Sequence, residues 1–419
     1  MGRPRRMPWT RSGRGIQKRG IMADKNKQGF RTVKDADMEE YRQKIREHRL
    51  AVLKRGTVFA VVLLLIVAVF GLYMAFRQYT DYDIRSSVER SDTQATRFAE
   101  FQGNILKYSN DGAFYIDAEN ELIWNQTYEM SDPQIDICQE YLVIYDKKGT
   151  KIYILTASKL QGSIETTMPI DQVCVASQGT IAVLMRKDDT AYLQLYDKEG
   201  KNLAQGEIHG GKGGYPVAIA LSQDAIKLGV SMLDISDGKV KSTIAFYNYG
   251  SVGQNEIDNC VGVTTYEDTV IPELEFTSND RMVAFGDSKI LVFEGTQKPQ
   301  LTTEVALEKQ AQSIFHNGDY IGIVSSNDDE AVTHHLSIYR TSGDLVMEKD
   351  FAMEYNSIEF LSNNEICIRN ETECDIYTLR GVYKFHYEFD RDLYQIIPGG
   401  TSLNYTFVLS DATERVRLK

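Results

Sequence analysis

The chain has 419 residues, with 47 Lys and Arg against 59 Asp and Glu and a formal net charge of −12. Its apolar and aromatic content is that of an ordinary globular protein, which excludes a disordered or fibrous chain and leaves material for a sizeable core. The charge is divided: residues 1–55 hold 17 Lys and Arg against 6 Asp and Glu, residues 56–76 hold none, and residues 77–419 hold 30 against 53.

Residues 1–34 read as a disordered basic N-terminus, since they show no apolar periodicity. Within them, Lys18-Arg19-Gly20 stands just before Met22. Codons for these residues can be purine-rich, like a bacterial ribosome-binding site, so translation is expected to start at Met22; an intact mass beginning at Met1 would refute this. Residues 35–55, DADMEEYRQKIREHRLAVLKR, are polar, rich in helix formers and acidic at the start, and predict a short cytoplasmic helix.

Residues 57–76, TVFAVVLLLIVAVFGLYMAF, are apolar throughout. A bilayer core of roughly 30 Å takes about 20 such residues as a helix. Buried core helices of this length are seldom apolar on every face. The run is longer than the core of a signal peptide, and no small-x-small cleavage site follows it. It therefore reads as an uncleaved signal-anchor that meets the lipid bilayer. Arg46, Arg49, Lys54 and Arg55 precede it, while Asp81 and Asp83 soon follow. That bias keeps the N-terminus in the cytoplasm and sends residues from about 77 outside, with Tyr73, Phe76 and Tyr79 as interfacial anchors. Topology alone accounts for the basic head, so no nucleic-acid partner is expected. Residues 77–102 are polar and read as a juxtamembrane stalk.

From residue 103 to 419 the pattern is short apolar strands separated by Asp, Asn and Gly, such as YLVIY, TIAVLM, AYLQLY, KILVFE and YTFVLS. This predicts an all-β domain. The third strand of each set ends near Leu155, Tyr196, Tyr247, Phe293, Tyr339 and Leu379, a period of roughly 40–50 residues, the length of a four-stranded propeller blade. Six full units begin near Pro133, Asp171, Tyr215, Ile271, Gln310 and Tyr355. The partial units GAFYIDA and LIWNQTYE at the start, and YQIIPGG and YTFVLS at the end, are expected to join as a seventh that closes the ring and hides its edges. Seven blades is the expectation, with six and eight open because NILKYS has no clear place.

Little in the strands reads as catalysis. Cys138, Cys174, Cys260, Cys367 and Cys374 form an odd, sparse set without metal-ligand spacing. Cys367 and Cys374 flank one hairpin and are placed to pair; buried free thiols are the other reading, and the preferred one. His334 and His335 are adjacent, so on a strand they face opposite sides and do not chelate together; both are expected at the surface. NDDE at 327–330 reads as a solvated hairpin tip. HGGKGGYP at 209–216 lacks the strand-before, helix-after context of a phosphate cradle. It reads as an inter-blade crossover, or as a ligand-contacting rim loop with His209, Lys212 and Tyr215. Asp136, Gln172 and Glu275 lie on innermost strands as polar liners of the channel. A quinoprotein propeller would need recurring blade tryptophans, and residues 103–419 hold only Trp124. No catalytic, cofactor-binding or metal-binding residues are therefore assigned.

Several longer phrases, YTDYDIRSSVERSD, LKYSNDGAFYIDAENELIWNQTYEM, GGYPVAIALSQDAIKLGVSML and IAFYNYGSVGQN, resemble a family of membrane-anchored proteins of unassigned function, found mainly in anaerobic Gram-positive bacteria, with a WD- or quinoprotein-like propeller ectodomain. The resemblance spans about residues 30–419. It implies a fold and a location and brings no catalytic residues. Asp224-Ala225 stands where the pattern would have Asp-Gly. The expected function is a non-enzymatic scaffold that binds a protein or cell-wall partner; the alternative is a propeller hydrolase or lyase acting on wall glycans.

Overall fold

A computed structural model describes residues 35–419 apart from 91, 94, 118, 210–212, 237 and 330. The expectations for residues 1–34 lie outside the described residues. The chain divides into two compact units, residues 1–74 and 75–419.

The described part of the first unit is a single uninterrupted helix, Asp35–Phe76, of 42 residues, whose last two residues fall past the unit boundary. The helix expected over 35–55 runs on into the apolar segment as one element, because no proline stands at the junction and Gly56 alone is tolerated within a helix. The segment Met38–Tyr73 is long and apolar enough to cross a membrane, and none of its most apolar stretch is buried. Phe59, Leu64, Ile66 and Phe70 are all exposed.

The second unit is all-β. Eight antiparallel four-stranded sheets form among the described residues. Seven are contiguous in sequence, spanning 97–127, 133–165, 170–209, 215–267, 273–306, 311–351 and 357–388, each ordered from first strand to fourth. The eighth takes three strands from 393–418 and its outermost strand, Tyr82–Glu89, from the start of the unit. Tyr82 pairs with Leu418 and Glu89 with Ala412, so the two chain ends close the ring.

Each hairpin rests on local turn chemistry. After Tyr196 the Asp197 carboxylate accepts the backbone N–H of Glu199 at 3.1 Å and of Lys201 at 2.8 Å. Gly200 takes φ +88°, a conformation that costs glycine nothing. This turn joins the third and fourth strands of the third blade.

A blade cannot bury both faces alone, so blades stack and share a core. The buried side chains fall into eight clusters among the described residues, each shared by two neighbouring blades. Val143 and Ile154 of the second blade meet Val173 and Val183 of the third. Ile105 and Ile116 of the first meet Ile397 and Val408 of the eighth, which completes the circle.

The architecture is thus an eight-bladed propeller, and the expectation of seven blades is corrected. The partial units at the two ends do not join each other. Residues 97–127 form a blade of their own, with NILKYS as its second strand. The terminal fragment is completed by Tyr82–Glu89. The stalk expected over 77–102 therefore contains two strands, Tyr82–Glu89 and Arg97–Phe101. The first of these is exposed at nearly every position; it is held by backbone pairing and has no alternation to read. Tyr79, expected as a membrane-interface anchor, is buried between the seventh and eighth blades. Its N–H donates to Lys384 O at 2.8 Å.

Candidate functional site

The first strands of successive blades line a central channel and are tied together by side chains. Asp136 of the second blade accepts the Val175 N–H of the third at 2.6 Å. Gln172 of the third blade accepts the Ile219 N–H of the fourth at 2.9 Å and donates to Ile219 O at 3.2 Å. Two of the three expected polar liners are therefore committed to joining blades. Cys174 donates to the same carbonyl at 3.2 Å.

Between these strands lies a cavity of about 190 Å³, lined by Asp136, Cys138, Cys174, Gln223, Glu275 and Thr277. The structure brings Asp136 and Glu275 to one space, although they lie three blades apart. Burial pushes Glu275 up to about 7, reinforced by the Asp136 and Glu273 carboxylates and opposed by His316. Burial likewise pushes Asp136 up to about 6, opposed by the Val175 and Ile137 N–H groups. His316, on the sixth blade, stacks on Phe285 at 4.7 Å and bonds Glu273 at 2.9 Å. Burial works against its proton, but the bond to Glu273 and the charges of Glu275 and Glu273 outweigh burial and raise its affinity. The neighbouring thiols go the other way from reactivity. Burial pushes Cys138 up to about 11 and Cys174 well above the ordinary thiol range, so both stay protonated and are poor nucleophiles. The chemistry available here is proton exchange: near neutral pH Glu275 can hold or release a proton beside a more acidic carboxyl.

A larger groove of about 530 Å³ runs beside the fifth and sixth blades, lined among others by Glu308, Lys309, Asp328, His335, Tyr339 and Glu348. Lys309 pairs with Asp328 at 2.8 Å. His335 bonds Asp350 at 2.6 Å, its cross-strand neighbour, and its other nitrogen lies 3.6 Å from Glu348. His334 faces away, as strand geometry requires, and stacks on Phe351 at 4.9 Å. The surface placement expected for both histidines is corrected for His334, whose side chain is 12% exposed.

Of the three rim residues singled out by sequence, His209 and Tyr215 lie among the described residues. His209 ends the outermost strand of the third blade, bonded to Thr190 at 3.3 Å. Tyr215 begins the innermost strand of the fourth, with the Arg186 guanidinium 6.0 Å from its ring centre. Lys212 lies outside the described residues. Cys367 and Cys374 are both buried free thiols, the reading preferred from sequence over a pair.

Sequence reasoning missed His316 and most of the groove. His316 is a lone histidine between Phe315 and Asn317, and nothing local marks it as facing Glu273, 43 residues earlier. The groove residues come from separate strands that only blade packing brings together.

A family model described as a family of unknown function, DUF5711, matches residues 75–418. No curated protein matches the chain by sequence. Solved structures that resemble it include BamB from Moraxella catarrhalis, at 12% identity over 81% of this chain and 98% of that one with a TM-score of 0.48. Sqt1 of Saccharomyces cerevisiae is similar at 11% identity over 82% and 100%, TM-score 0.49. The Pan2 WD40 domain of Neurospora crassa is similar at 9% identity over 82% and 97%, TM-score 0.41. None of these likenesses assigns an activity to this chain.

Proposed function

We propose, from the premise that this chain belongs to the DUF5711 family of unknown function, that it is a membrane-anchored scaffold whose propeller lies outside the cytoplasm and binds a protein or cell-wall partner without chemistry. The helix Asp35–Phe76 supplies the anchor, and the division of charge around residues 56–76 supplies the orientation.

The observation that carries the reading is the groove beside the fifth and sixth blades. It offers an aromatic face at Tyr339, an apolar side chain at Leu345 and, beside the Lys309–Asp328 pair, two carboxylates with no lysine or arginine partner among the described residues, Glu308 and Glu348. A site of that kind favours a cationic protein segment over an anionic wall polymer. The test is in-cell crosslinking from a photoreactive group at Leu345, in the wild type and in a Glu308→Lys, Glu348→Lys variant. One dominant partner lost in the variant supports the reading. No partner above background, or one unaffected by the charge reversal, refutes it.

The channel carboxylates favour a second reading, a hydrolase or lyase acting on wall glycans. A raised Glu275 beside Asp136 is the acid–base division such reactions use. Release of reducing ends or unsaturated sugars from purified wall glycan, abolished in Glu275→Gln, would establish it. No release above a buffer control would remove it.

A further inference from the structure

The outer half of the seventh blade carries a group of metal-ligating side chains on one face. His386 and Glu388 lie two residues apart on the strand Tyr383–Glu388, so they project to the same side. Glu373 of the strand Glu373–Tyr377 pairs directly opposite Glu388. One ligand atom from each of Glu373, His386 and Glu388 lies within 4.8 Å of the other two.

A second layer holds this group in place. Asp375, buried and opposite His386 in the ladder, bonds His386 Nδ1 at 2.9 Å. It also accepts the hydroxyls of Tyr383 at 2.7 Å and Tyr377 at 3.2 Å. Asn370 donates its amide to Glu373 Oε2 at 3.4 Å.

The charge here is unbalanced. Neighbouring carboxylates have cationic partners: Glu359 has Arg369 at 3.5 Å, Glu365 has Lys384, and Glu414 has Arg391 at 2.7 Å. Among the described residues no lysine or arginine pairs with Glu373, Asp375 or Glu388; Glu373 and Asp375 face His386, whose Nδ1 lies 3.8 Å and 2.9 Å from them and, held by Asp375, leaves Nε2 as the nitrogen free to ligate. Lys349 stands over the Tyr377 ring, 5.3 Å from its centre. One imidazole, even protonated, brings a single positive charge to three carboxylates.

We propose that Glu373, His386 and Glu388 bind a divalent cation of the borderline class, with Zn²⁺ preferred, and that Asp375 is the positioning residue that orients His386. Two carboxylates and one imidazole suit Zn²⁺ better than Mg²⁺ or Ca²⁺, which take all-oxygen sets. Zinc bonds of about 2.0–2.2 Å require the ligand atoms to close to roughly 3–3.5 Å. Rotation of Glu373 and the exposed Glu388 supplies that movement. The set leaves coordination positions facing water. The same strand receives the chain entering the propeller, since the His386 N–H donates to Tyr79 O at 3.3 Å, so a bound ion stiffens that entry point.

The test is Zn²⁺ titration of the full chain in detergent against a chromophoric chelator, with melting temperature followed in parallel. The expected result is one saturable equivalent and a rise in melting temperature, neither removed by excess Mg²⁺. Glu388→Gln, at an exposed position, is expected to weaken binding at least about 10-fold while leaving the metal-free melting temperature unchanged. Glu373→Gln with Glu388→Gln is expected to abolish it. No saturable binding, or equal binding in the double variant, overturns the proposal.

Discussion

Ala225 occupies the turn between the first two strands of the fourth blade with φ +56°, in the left-handed region that favours glycine. Asp224 caps the turn by accepting the Ser222 hydroxyl at 2.6 Å and the Ile226 N–H at 3.2 Å. The Asp-Gly expected there from family resemblance is thus the residue pair the backbone asks for. Ala225→Gly removes the steric cost of the Cβ, loses a little apolar contact, and should stabilise the propeller by about 0.5 kcal/mol; the urea midpoint at constant m-value measures it. A second residue-scale consequence concerns Asp136, Glu275 and His316. All three bind protons more tightly in the folded chain than their ordinary values. Such groups favour the folded state below their unfolded values and lose that contribution as pH rises through the folded ones. Between pH about 4 and 7 the two carboxyls therefore make stability fall with rising pH. His316 extends the same trend upward. Glu275→Gln should flatten this slope, recovering on the order of 1 kcal/mol at pH 7.5 relative to pH 5 once screening by channel water is allowed for. Denaturant midpoints at the two pH values decide the matter; an unchanged slope would show that Glu275 is not the source.

At the scale of elements, the closing blade shows what a sequence reveals and what it conceals. The strand Asn404–Leu409 is buried over five consecutive positions and was legible at once. Its partner Ala412–Leu418, ATERVRL, carries charges at Glu414, Arg415 and Arg417 and shows no apolar run. Glu414 of that strand is itself buried against Arg391. Tyr82–Glu89 carries even less pattern, because an outermost strand is held by one ladder and covers one face. Without these two strands the pattern supports only seven blades. The sequence offers the partial first blade as half of the last, since the strand that completes the last blade lies more than 300 residues away in sequence. Closure should nonetheless depend on a few inward side chains. Leu418 is 2% exposed within the cluster shared by the seventh and eighth blades, whereas Ile84, on the adjoining strand, is 51% exposed. Leu418→Ala should cost about 2–4 kcal/mol and Ile84→Ala less than about 0.5 kcal/mol, a contrast visible as separate shifts in thermal unfolding. Equal shifts would mean that the outermost strand packs more than its exposure indicates.

For the whole molecule, the blade period and the division of charge were legible because both are long-range averages that survive the loss of single strands. The channel cavity and the groove were not, because each gathers one or two residues from blades far apart in sequence. The proposed orientation rests on the charge average alone and can be tried separately from any partner. Within 20 residues before Thr57 stand Arg42, Lys44, Arg46, Arg49, Lys54 and Arg55; within 20 after Phe76 stand only Arg77, Arg85 and Arg90. Cationic residues flanking a span, far more than acidic ones, decide which end stays inside. Exchanging all six for glutamine reverses the local bias while leaving the apolar helix and every propeller residue intact. With an epitope tag after Lys419, protease added to intact cells should remove the tag from most of the wild-type chains. In the six-fold variant the tag should be protected on a large share of chains, or the chain should fail to insert. A wild-type tag that is protected from the start would place the propeller inside. It would also remove the wall polymer from the list of partners, while leaving the groove and the carboxylates of the seventh blade to be tested on their own terms.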